Sequence, residues 1–196
     1  MSESMTQEEL DKALWESARN GDAQRACELL ERGAKVDAAD SGGWRALHVA
    51  AWHDCGEVVE LLLDRGARID VADVDGSQPL HLAVWNGSDG AAGVLIARGT
   101  RIDAADNDGD QPLHLAVAKG RREIVKVLLA HGADLWALNK KDKTPHALCA
   151  DGKTGELLEK AEEERKGSEE YGRKVLAEHR RRQRRLGSLR PKGPAL

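Results

Sequence analysis

The chain has 196 residues with no Phe, one Tyr and five Trp, so aromatics reach only 3% while hydrophobic residues make up 40%. That composition excludes a chain disordered throughout. It also excludes a thick core built on Phe and Tyr, so the interior has to be aliphatic and its elements thin and closely stacked. The formal charge of −4 hides a split: residues 1–172 carry 21 bases and 33 acids, net −12, and residues 173–196 carry nine bases and one acid, Glu178, net +8.

No apolar run nears the roughly 20 residues that cross a bilayer, and the acidic start is neither a signal nor a transit peptide. Cys27, Cys55 and Cys149 have no paired spacing, so they give no disulfide framework and no zinc motif. A reducing compartment is expected, cytoplasmic or nuclear.

In chain order, residues 1–9 form an acidic lead-in, in which Thr6-Gln7-Glu8-Glu9 fits a capping box and starts a first helix. Residues 14–40 form a first unit without the Pro and His of later ones. Ala46-Leu47-His48 opens the next, and Val58-Val59-Glu60-Leu61-Leu62-Leu63 is its second helix; Asp54 stands where later units have glycine. Gln78-Pro79-Leu80-His81 and Gln111-Pro112-Leu113-His114 each start a helix with Pro at the first helical position, where its missing N–H does no harm. Gly87 and Gly120 end those helices, and Gly66, Gly99 and Gly132 stop the second helices as left-handed caps. Asp73-Val74-Asp75-Gly76 and Asp106-Asn107-Asp108-Gly109 read as tight turns. The last unit starts at Thr144, and its Leu157-Leu158 falls four residues before the place that Leu128-Leu129 predicts. Such a shortened, charge-rich unit suits the solvent-facing end of a repeat array.

The period behind this pattern is 33 residues. Gly33, Gly66, Gly99 and Gly132 follow it, as do His48, His81 and His114, and Asp40, Asp73 and Asp106. A helix–turn–helix with a turn finger cannot bury its apolar face alone, so units of this kind must stack. Ala46-Leu47-His48, Gln78-Pro79-Leu80-His81, Gln111-Pro112-Leu113-His114 and Thr144-Pro145 resemble the TPLH-type motif of ankyrin repeats. The resemblance covers about residues 10–165 and implies an all-α ankyrin-repeat solenoid of about five units, two of them atypical. Residues 166–196 form a basic C-terminal extension with some helical character. The chain departs from the family at the N-caps, where Arg45, Gln78 and Gln111 replace Thr, each a weaker cap by about 0.5–2 kcal/mol.

No catalytic constellation stands out from the repeat. His48, His81 and His114 lie one per unit, about 10 Å apart as stacked helices, too far to share an ion; a structural hydrogen bond at each helix start is expected instead. Gly152-Lys153-Thr154 lacks the earlier Gly of a phosphate loop, since position 147 is Ala147. Cys27 and Cys149 read as buried small hydrophobes and Cys55 as exposed without activation. The sequence calls for no enzyme activity, cofactor, metal or small-molecule substrate.

The resemblance implies that finger tips and first-helix ends line a concave binding surface. Carried over by position, that surface includes Trp44, Trp52, His53, Asp75, Trp85, Asn86, Asp108, Asp110, Lys119, Lys140, Lys141 and Lys143. Trp52 and Trp85 are 33 apart and should be neighbours, with Trp44 beside Trp52, and exposed Trp in this setting reads as an interface anchor. The acidic middle and the lysines toward the C-terminal end would orient a partner.

In the extension, Arg180, Arg181, Arg182, Arg184 and Arg185 form a basic block. It fits a nuclear-import signal read by an importin-type receptor, a contact to an acidic partner, RNA or anionic membrane, a calmodulin-type target, or a solvated tail. Ser188 matches a basophilic kinase pattern. The function expected is a non-enzymatic adaptor or regulatory subunit that binds a partner protein on the concave face. The alternatives are a structural subunit of a large assembly and a nuclear or nucleic-acid-associated factor that uses the basic tail.

Overall fold

The computed structural model describes residues 5–166; the basic block at Arg180–Arg185 and Ser188 lie outside the described residues. Helices α1 (Gln7–Asn20) and α2 (Ala23–Glu31) make the first pair, α3 (Ala46–Trp52) and α4 (Gly56–Asp64) the second, α5 (Pro79–Asn86) and α6 (Asp89–Ala97) the third, and α7 (Pro112–Ala118) and α8 (Arg122–Ala130) the fourth. A fifth unit is reduced to one 3₁₀ turn at His146–Leu148 followed by α9 (Gly152–Lys166). The expected first helix at Thr144 is therefore only a single turn. Among the described residues there is no strand. The chain divides into two compact units, the first ending at Gly155 and the second starting at Glu156.

In the first unit α1, α3, α5 and α7 stack in one layer, and α2, α4, α6 and α8 in a second. The 33-residue period becomes leucine columns: Leu14, Leu47, Leu80 and Leu113 in the first layer, and Leu29, Leu62, Leu95 and Leu128 in the second, all fully buried. Small residues sit between them at Ala50, Ala83 and Ala116, also fully buried, which lets the helices approach closely. This is how a chain without Phe closes its interior. The last unit is shortened, as the early place of its leucines led one to expect. Helices α4, α6 and α8 start 33 residues apart, whereas α9 starts 30 after α8, and Leu158 is buried at its seventh residue as Leu62, Leu95 and Leu128 are in theirs.

The ends of the helices follow their sequence signals. Thr6 caps α1 in a full capping box with Glu9, whose carboxyl is held below its usual value chiefly by the Thr6 N–H it accepts. Gly33, Gly66, Gly99 and Gly132 are all left-handed. After each, the next N–H reaches back to the last buried leucine, as in Ala34 N–H to Leu29 O at 2.9 Å and Ala67 N–H to Leu62 O at 2.9 Å. Asp54 holds the left-handed place of Gly21, Gly87 and Gly120, at φ 57°. Its carboxylate then accepts the Ala91 N–H at 2.8 Å, near the start of α6.

Arg45, Gln78 and Gln111 occupy extended N-cap positions, and none makes a side-chain cap bond. Gln78 also buries its Oε1 without a partner among the described residues. Gln78→Thr and Gln111→Thr should therefore each raise stability by about 0.5–1 kcal/mol. Urea denaturation checks this; unchanged midpoints would mean the Thr hydroxyl does not reach the orphan N–H groups of the first turn.

Candidate functional site

Four fingers join the helix pairs, and each is folded by one acidic or amide side chain. Asp40 Oδ1 accepts the N–H groups of Gly42 and Trp44, both at 2.8 Å. Asp73 does the same for Asp75 and Ser77, Asp106 for Asp108 and Asp110, and Asn139 for Lys141 and Lys143. A carboxylate or amide oxygen that collects two backbone N–H groups fixes a tight turn without a strand. Successive fingers are then stitched in register: Val74 N–H to Gly42 O at 3.0 Å, Asn107 N–H to Asp75 O at 2.9 Å and Lys140 N–H to Asp108 O at 2.9 Å.

The three histidines connect this finger row to the first-layer helices. The Nδ1 of His48, His81 and His114 accepts the N-cap N–H of Arg45, Gln78 and Gln111 at 3.1, 3.2 and 3.2 Å. Because Nδ1 accepts, Nε2 carries the proton. It donates to Val71 O, Ala104 O and Ala137 O of the following segment at 3.0, 3.1 and 3.1 Å. Each imidazole is thus a peg between one helix start and the base of the next finger. Burial pushes His48 and His81 below their usual value.

Between the fingers and the first-layer helices lies an open pocket of about 480 Å³. The helices supply Trp52, Trp85, His81, Leu82 and Leu115; the fingers supply Asp75, Ser77, Asp106, Asn107 and Asp108. Leu82 and Leu115 are 33 apart and nearly buried. They form an apolar base that sequence reasoning missed, although the period places them one residue after each histidine.

The residues expected on this face separate into two groups. Trp52, Trp85, Asp75 and Asp108 share the pocket, as their register requires. Trp85 is 44% exposed. Trp44 and Trp52 are only half-buried, not openly exposed, because their rings pack together at 5.9 Å between centroids, and Trp44 also lies against His48 at 6.2 Å. Lys119, expected toward the lysine-rich end, holds its Nζ 3.5 Å from the centroid of the Trp85 ring, a cation–π contact between neighbouring units.

Others are engaged with the protein itself. Asn86 donates its amide to Trp52 O at 2.7 Å, Asn139 donates to Asp110 at 2.7 Å, and Lys140 Nζ donates to Asn107 O at 2.6 Å. His53, Lys141 and Lys143 are exposed outside the pocket. Val74, at the tip of the second finger, is 64% exposed.

The cysteines differ from expectation. All three are half-buried and unpaired. The Cys27 sulfur accepts from Arg65 Nη2 at 3.0 Å, and the Cys149 thiol meets Asp151 O at 3.0 Å, so neither is a simple buried apolar group. Burial first, and Asp54 second, push the Cys55 thiol up, which disfavours a reactive thiolate.

Compared with known families, the chain matches the family described as Ankyrin repeats (3 copies) over residues 3–73 and again over 69–139. The chain belongs to the ankyrin-repeat family. The histidine pegs, paired helices and finger ladder are the ankyrin architecture written in this chain's own residues. Comparison with the curated proteins gave no match. Ankyrin repeats in general mediate protein–protein interaction. No helix of the described residues is long and apolar enough to cross a membrane.

Proposed function

We propose that this ankyrin-repeat chain is a non-enzymatic adaptor or regulatory subunit that holds a partner protein on the face made by its fingers and first-layer helices. The observation that carries the proposal is the pocket itself: about 480 Å³ of open space, with an apolar base, two indole rings and a rim of carboxylates. Aromatic anchors in a pocket with a polar rim are the features of a binding hot spot. A cytoplasmic or nuclear setting forms part of the proposal, in keeping with three unpaired thiols.

Alanine substitution of Trp85 tests it. Trp85→Ala should weaken partner binding by about 2–4 kcal/mol. Thermal unfolding should shift little, because the ring is 44% exposed. Trp52→Ala should weaken binding too, with a modest loss of stability from its contact with Trp44. Titration calorimetry beside a thermal melt separates the two effects. A large drop in melting temperature with intact affinity would make both rings structural and sink the proposal.

A further inference from the structure

We infer that the pocket between the second and third fingers selects an arginine side chain, carried on an extended segment of the partner protein; the inference rests on the binding role proposed for that face. Three observations converge on it. First, Asp75 and Asp108 stand at equivalent places on adjacent fingers and both line the pocket. Their backbones are fixed by the Asp73 and Asp106 turns, and among the described residues neither carboxylate accepts a hydrogen bond. Two carboxyl groups thus line the pocket on fixed turns, with no hydrogen bond to give up before they meet an incoming group.

Second, the aromatic surface beside them already carries a positive charge: Lys119 Nζ sits 3.5 Å above the Trp85 ring. That contact shows the indole face turned so that a cation can lie on it. Lys119 reaches it from the end of α7 and is exposed, so it can move aside. Third, the pocket brings no second cation of its own from its lining. His81 is locked neutral, with Nδ1 accepting from Gln78 and Nε2 donating to Ala104. Lys140, on the next finger, holds its ammonium on Asn107 O. The pocket lining is therefore acidic and aromatic, and charge complementarity points to a basic occupant.

Guanidinium fits this arrangement better than ammonium. It is flat and weakly hydrated, so it stacks on an indole while its five N–H donors reach carboxylates at its edge. A lysine ammonium would meet the same role that Lys119 already fills. The exposed Val74 at the second finger tip and the base at Leu82 and Leu115 offer apolar contact for residues flanking the arginine.

The test is selection from a displayed library of random dodecapeptides on the full chain, followed by anisotropy titration of the fluorescein-labelled winners. Arginine should be enriched among the selected peptides. Replacing the arginine by lysine should weaken binding about tenfold, and Asp75→Asn with Asp108→Asn should weaken it by about tenfold or more. Lys119→Ala should strengthen it, because the competing cation is gone. Circular dichroism melts confirm that the exposed variants still fold. Selected peptides without arginine enrichment, but sensitive to Trp85→Ala, would overturn the arginine inference and leave the binding face standing. So would equal binding of the lysine peptide, or weaker binding to Lys119→Ala. No selected peptide, or peptides indifferent to every pocket substitution, would overturn both.

Discussion

His81→Ala should cost about 2–4 kcal/mol of stability, which makes this imidazole one of the most heavily used side chains in the protein. The ring is 1% exposed and makes two hydrogen bonds, one from the Gln78 N–H and one to Ala104 O. Its removal leaves both backbone groups without their partner, and leaves a cavity where the ring was buried. Asparagine should not rescue the loss, because it cannot span the helix start and the finger base together. Urea denaturation of wild type and variant measures the difference. A loss below about 1 kcal/mol would mean that water takes over both bonds.

The same residue sets a pH dependence. The folded imidazoles of His48 and His81 are depressed below the unfolded value of 6.5, with burial as the first cause. Below pH 6.5 the unfolded chain takes up protons that the folded chain refuses. Stability is therefore full above that value and falls as the pH drops from about 7 to 5. The depressed carboxyls of Glu9 and Asp151 act later, below their unfolded values of 4.5 and 3.8. His81→Ala should flatten the decline between pH 7 and 5; a variant with the same slope as wild type would remove His81 as its source.

The second large effect concerns the fingers. Gly109→Ala should cost about 2–4 kcal/mol, whereas Asp142→Gly should be neutral or slightly stabilising. Both positions are left-handed, at φ 80° and 56°, and they are one period apart. A left-handed backbone alone costs a side chain roughly 1–2 kcal/mol, which Asp142 tolerates. At Gly109 an added Cβ would also lie 2.8 Å from Lys140 N, the donor that stitches the third finger to the fourth. Gly76 faces the same obstacle, 2.8 Å from Asn107 N. The paired variants, compared by urea denaturation, separate backbone strain from this close approach. Equal and small costs at both sites would mean that the fingers yield easily.

Most of the fold was legible because it is periodic. A 33-residue spacing of Gly, His and Asp states where helices stop, where they start and where fingers turn, since each signal acts through its own local backbone. The capping box at Thr6, the left-handed caps after the second helices and the histidine hydrogen bonds all follow from single residues and their near neighbours. Asp54 shows the same logic with a different residue: it adopts the left-handed turn and uses its carboxylate to cap α6.

The candidate site was legible only in part. Register alone brings Trp52, Trp85, Asp75 and Asp108 to one pocket. It could not show that Asn86 and Asp110 are taken up by their neighbours, or that Lys119 lies on Trp85. Those contacts join residues about 30 positions apart, and they depend on the offset between stacked units. Nor could register foresee that Trp44 and Trp52 would partly bury each other.

The shortage of Phe and the 33-residue period by themselves determined a stacked aliphatic repeat, because short-range signals repeated in phase leave the chain one way to bury its apolar faces. Tertiary structure alone decided which of the surface residues are free to bind. A side chain's availability depends on the donors and acceptors that the next unit brings within 3 Å, and that distance is set by packing, not by spacing in the chain.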